Sequence, residues 1–110
     1  MSGDFVRNSG IYRCTALERF GWQTHGFGTR QISPAADVTL RQVHSAKVLN
    51  AAGLADRQAD GDGLITSICG QAVGVRTADC VPILLLDANT RTVGAVHAGW
   101  RGTAAFIGSI

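Results

Sequence analysis

Val81-Pro82-Ile83-Leu84-Leu85-Leu86, followed by Asp87-Ala88-Asn89-Thr90-Arg91 and then Thr92-Val93-Gly94-Ala95-Val96, is the stretch that decides the fold. The first run is apolar enough to lie buried on both faces of a sheet. The second is a turn and the third a further strand, so the three together predict a hairpin. Pro82 has no amide donor and must sit at a strand start, a bulge or an edge. Just upstream, Ala72 to Thr77 is another run apolar enough for burial on both faces, and Ala78-Asp79-Cys80 interrupts the two. Just downstream, His97-Ala98-Gly99-Trp100-Arg101-Gly102 turns sharply toward a helix start at Thr103.

Working back toward the N-terminus, Asp56 to Gly63 is a polar turn closing on the strand Leu64-Ile65-Thr66, and Val48-Leu49 is extended. Val38 to Val43 alternates weakly and predicts a strand. Gln31 to Asp37 is a connection, and His25-Gly26-Phe27-Gly28-Thr29-Arg30 reads as a strand end plus loop. Ile11 to Thr15 predicts a short strand, Ala16 to Phe20 is ambiguous, and the first ten residues read as a frayed lead-in. The 14 glycines fall singly rather than in clusters, which points to many tight turns and close backbone approaches.

A chain of 110 residues allows one domain. With 45% apolar and 16% charged residues, a folded core is expected and disorder is not. The net charge of +2 is weak, and nine of the ten basic residues are arginines scattered without a basic run. Neither nucleic acid nor a membrane is therefore an expected partner. No apolar stretch approaches the roughly 20 residues that span a bilayer, and the N-terminus lacks the apolar region of a signal peptide. Cys14, Cys69 and Cys80 are an odd set without a CxxC, which fits a reduced, cytoplasmic setting.

His44, Cys80 and His97 stand at strand ends, too far apart in sequence for the short local ligand pairs of a structural zinc site. Ligands on separate strands suit a catalytic metal with an open position; thiolate plus two imidazoles favours zinc and leaves copper chemically possible. The same trio also fits a cysteine nucleophile with a histidine base, or a small buried cysteine with two histidines bonded to loops. Asp79 is either a carboxylate that orients an imidazole or the cap of an Asx-turn. Gly99 and Gly102 let backbone amides face an anion ahead of a helix, and Arg30 and Arg101 are candidate anion forks or solvated surface residues. Asp60-Gly61-Asp62-Gly63 has the look of a calcium loop but lacks its later ligands, so it reads as a turn. His25 reads as a structural histidine.

Five blocks occur in order: Thr24 to Arg30 (THGFGTR), Arg41 to Ser45 (RQVHS), Ala59 to Thr66 (ADGDGLIT), Thr77 to Leu85 (TADCVPILL) and Ala95 to Gly102 (AVHAGWRG). Together they resemble the polyphenol oxidase (laccase-domain) family, better described as purine nucleoside phosphorylases, some bacterial members of which are called peptidoglycan editing factors. The resemblance runs from about Trp22 to Thr103. It implies a single α+β domain over 1–110, with helices outside packed β-sheets, whose C-terminal half is missing. It also implies a zinc site at His44, Cys80 and His97. Beside that site the residues themselves suggest Gln42 and Asp79 as supports for the ligands and Arg30 or Arg101 as the contact for the anion.

The activity implied is phosphorolysis of adenosine, inosine and methylthioadenosine, with deamination of adenosine; purine nucleosides and phosphate are the expected partners. In deamination, water attacks the purine C6 and ammonia leaves. In phosphorolysis, phosphate attacks the ribose anomeric carbon as the purine departs. Alternatives are a copper-dependent polyphenol oxidase, a metal-free Cys/His hydrolase and an inactive fragment of the family. A single His₂Cys set does not supply the several coppers with which true laccases reduce oxygen.

Overall fold

The computed structural model describes residues 5–29, 31–77 and 81–98, with the side chain of Asn8 left aside. They belong to two compact units, Met1–Ala35 and Ala36–Ile110. The regular structure among the described residues is mostly sheet, with a single short helix.

In the first unit, β1 (Phe5–Asn8) pairs antiparallel with β2 (Ile11–Cys14), from Phe5 opposite Cys14 to Asn8 opposite Ile11. The expected frayed lead-in is thus a strand. What makes it one is the two-residue turn Ser9-Gly10, whose φ values of 53° and 83° match the twist that hairpin strands need. The ambiguous segment after β2 is a single helical turn, α1 (Thr15–Glu18). Phe27 exchanges two backbone hydrogen bonds with Tyr12 at 2.9 and 2.8 Å and packs edge-on against Phe5. His25 is structural as expected: its Nε2 accepts the Cys14 amide at 2.8 Å and its carbonyl accepts Arg13.

The second unit holds a four-stranded sheet in the order β3-β4-β6-β5. Its strands are β3 (Val48–Asn50), β4 (Gly63–Thr66), β5 (Val81–Asp87) and β6 (Thr92–Ala98). β3 and β4 are parallel, whereas β4–β6 and β5–β6 are antiparallel. The expected hairpin is β5–β6, closed at Asp87 opposite Thr92, where the Asp87 carboxylate takes the Asn89 amide at 2.9 Å.

Side chains alternate across this sheet. Leu64 points to one face, where it is buried with Val38, Leu40 and Ala51 and flanked by Leu49, Leu54, Ala59 and Val73. Val96 and Ala98 point to the other, against Val48, Ile83 and Leu85.

Three expectations about strands need correction. Val38 to Val43 buries Val38 and Leu40, but it makes only isolated bridges, Val38 to Val73 and Arg41 to Asp60. Its backbone changes partner midway, from Ala72 and Gly74 to Ala59 and Gly61, and the Thr39 amide goes to the Asp56 carboxylate instead of a strand. Ala72 to Thr77 likewise has one bridge and no ladder. Val81 to Leu86 is a strand but is not buried on both faces: it lies at the sheet edge, where Val81 is 58% exposed. An edge is also where Pro82 is tolerated. The expected helix start at Thr103 lies outside the described residues.

Candidate metal centre

β6 delivers His97 into the interior. Its ring is 5% exposed, and its amide donates to the Asp62 carbonyl at 2.7 Å where the chain enters β4. The Asp62 side chain is fully buried, and its Oδ2 lies 2.8 Å from His97 Nδ1. A carboxylate only accepts, so Nδ1 carries the proton, and in the neutral ring Nε2 is the nitrogen with the lone pair.

The same carboxylate accepts from the segment that carries the other histidine. Oδ1 takes the Val43 amide at 3.1 Å, the Ser45 amide at 2.8 Å and the Ser45 hydroxyl at 2.9 Å, and Oδ2 takes the His44 amide at 3.2 Å. His44 sits at the centre of this wrap with φ at 58°, a left-handed conformation that costs a non-glycine residue energy and is kept where surroundings enforce it. Burial pushes the Asp62 carboxyl up, but the bonds from the Ser45 amide, His97, the Val43 amide and the Ser45 hydroxyl outweigh it. They hold the group at about 2, below its ordinary 3.8.

The outcome is a pair of imidazoles, one buried and one exposed, with ring centroids 5.3 Å apart and planes at 62°. Two imidazoles on one tetrahedral zinc, each bound at about 2.0–2.1 Å, have centroids about 5 Å apart. The donor set therefore fits a shared ion in both separation and chemistry. Among the described residues no group of three metal-ligating side chains converges. Cys80, the expected third ligand, lies outside them, as do Asp79, Arg30 and Arg101.

Gln42, expected to support the ligands, acts on the backbone. Its Nε2 donates to the Arg76 carbonyl at 2.6 Å and its Oε1 accepts the Arg76 amide at 2.7 Å. This two-point clamp fixes the chain four residues before Cys80.

The residue that sequence reasoning missed is Asp62, taken there as part of a plain turn. The signal available was an aspartate set between Gly61 and Gly63 at the mouth of a buried strand. A Cβ at Gly61 would stand 3.2 Å from Leu40 Cδ1, and one at Gly63 would stand 3.0 Å from Val48 Cγ2, so a side chain at either position would require its neighbours to give by a few tenths of an ångström.

The family model described as multi-copper polyphenol oxidoreductase laccase matches residues 25–109. A purine nucleoside phosphorylase of Deinococcus radiodurans is 44% identical over 69 residues, covering 63% of this chain and 26% of the relative. Adenosine deaminase RL5, from an unknown prokaryotic organism, is 43% identical over 75 residues, covering 60% of this chain and 29% of the relative. The chain thus spans less than a third of the length of these relatives. In three dimensions it is similar to the Neisseria meningitidis protein NMB0706, with a TM-score of 0.56 and 31% identity over 86% of this chain and 34% of that one.

Proposed function

The chain belongs to the multi-copper polyphenol oxidoreductase laccase family, and from that premise we propose that it contributes the metal centre of a zinc-dependent purine nucleoside phosphorylase that also deaminates adenosine. The observation that carries this reading is the His44–His97 pair, 5.3 Å between ring centroids, inside residues 25–109 that match the family model. His44, His97 and Cys80 hold the ion. When bound, zinc supplies Lewis-acid polarisation at the reacting atoms.

The chain's own residues do the rest. His97 keeps its proton on Nδ1, against Asp62, which in the neutral ring leaves Nε2 as the nitrogen for the ion. Burial of His97 and Asp62 excludes water from this side, which strengthens each electrostatic contact. Gln42 holds the backbone at Arg76, four residues before Cys80. Arg30 and Arg101 are the proposed contacts for phosphate, through the planar fork of donors suited to an oxyanion.

Asp62 behind His97 also suits a second reading, in which Cys80 is a nucleophile and His97 its base, oriented as in a hydrolase triad. One assay set separates the two. Inosine or adenosine is supplied with phosphate, and free base and inosine are followed by chromatography in wild type, His97→Ala and Cys80→Ser. The zinc reading expects turnover to fall by about 100-fold or more in both variants, to be lost to a chelator and to return with zinc. Undiminished turnover in both variants overturns it. Chelator-resistant turnover that a thiol reagent abolishes selects the nucleophile reading.

A further inference from the structure

We propose that Asp62 is the positioning residue of this centre, one carboxylate that orients both histidines before any ion arrives. For its ion the inference rests on the zinc reading above; for its geometry it does not. The two carboxylate oxygens divide the work. Oδ1 gathers the Val43 amide and both donors of Ser45, and Oδ2 takes the His44 amide and His97 Nδ1. Three successive amides closing on one anion account for the left-handed backbone at His44, a conformation that turns neighbouring N–H groups to a common point. The bond from His97 Nδ1 fixes the tautomer of a ring with no other hydrogen-bond partner among the described side chains. Asp62 is therefore connected to His44 through the backbone and to His97 through the ring, and the 5.3 Å approach of the two rings depends on it.

The pattern of donors makes a specific prediction for Asp62→Asn. A carboxamide has one acceptor oxygen, and the Oδ1 position with its three donors is the site that most needs it. The NH2 group then occupies the Oδ2 position and faces His97 Nδ1. A donor there selects the opposite tautomer, with the proton on Nε2, and removes the lone pair that the site requires.

The test reads this in the metal-free full chain. Long-range proton–nitrogen correlations of the ¹⁵N-labelled imidazoles are recorded at about pH 8, where histidine is neutral, and zinc affinity is then measured by competition with a chromophoric chelator. Wild type is expected to show His97 as the pure Nδ1–H tautomer. Asp62→Asn is expected to shift it to Nε2–H and to weaken zinc by about 10–100-fold. Ser45→Ala, which removes only one of the five donors, is expected to keep the wild-type tautomer. An Nε2–H tautomer in wild type overturns the proposal even where Asp62→Asn does not fold. An unchanged tautomer and affinity in a folded Asp62→Asn chain overturn it as well. The expected tautomers in a wild-type chain that binds no zinc support the role of Asp62 and overturn the zinc reading instead.

Discussion

Asp60 and Asp62 flank a single glycine, yet they occupy opposite environments. Asp60 is an exposed partner of Arg41 at 2.7 Å, whereas Asp62 is fully buried and accepts five hydrogen bonds. Acid separates them. Asp62 is held at about 2 against an ordinary 3.8, so its contribution is complete above the ordinary value and disappears as pH falls toward 2. Denaturant midpoints are expected to fall between about pH 4 and pH 2 in wild type and to change little over that window in Asp62→Asn; parallel acid slopes would contradict this.

His25 gives a local counterpart. Its pKa is lowered, by burial first and by Arg13 next, against the raising effects of Glu18 and of the Cys14 amide bond. Its stabilising effect is present above 6.5 and is lost as pH falls, so protection of the Cys14 amide against hydrogen exchange should decrease progressively below 6.5. The pairing of His44 with His97, whose rings lie 5.3 Å apart, was legible in the sequence because each stands in a distinctive block. Asp62 was not, because an aspartate between glycines reads the same whether it caps a turn or sits in a cage. What distinguishes the two is which distant amides reach it, and those come from 43–45.

Hairpin β5–β6 was the element most open to sequence reading, since an apolar run, an Asp-Ala-Asn turn and a second apolar run leave few alternatives. The burial of β5 was not open to it: a run of apolar residues looks the same at the centre and at the edge of a sheet, and strand order follows from pairings distant in sequence. Val38 to Val43 illustrates the converse. Val38 and Leu40, alternate residues of that stretch, are buried, but burial of side chains does not require a ladder, and here the backbone bonds go to two different loops and a carboxylate.

β4 carries the sharpest test at this scale. Leu64 is fully buried in the cluster with Val38, Leu40 and Ala51, so Leu64→Ala should cost about 2–5 kcal/mol in chemical denaturation. Gly63 lies between Val48 and Val96, with a Cβ built there 3.0 and 3.3 Å from their methyl groups. Gly63→Val should cost about 1–3 kcal/mol by overpacking, whereas the same change at Gly21, where a Cβ would meet none of the described atoms beyond its chain neighbours within 4 Å, leaves packing alone. Equal effects at 63 and 21 would contradict the packing account.

Across the molecule, the sheet of the second unit converts sequence distance into proximity. Antiparallel pairing of β4 with β6 sets Gly63 opposite Val96, which brings Asp62 and His97 together across 35 residues of chain, and the 43–45 segment closes over them. Family membership accounts for why these blocks occur together, and the geometry divides the labour among them. RQVHS supplies one imidazole and the amides, ADGDGLIT the carboxylate, and AVHAGWRG the second imidazole. The most direct measurement is zinc per folded chain by elemental analysis, on monodisperse wild type, His97→Ala and Cys80→Ser purified alike. Close to one zinc per wild-type chain is predicted, lost in both variants while each retains a cooperative melt. A wild-type chain that folds without zinc, or variants that keep it, would contradict the claim that His44, Cys80 and His97 form one metal centre.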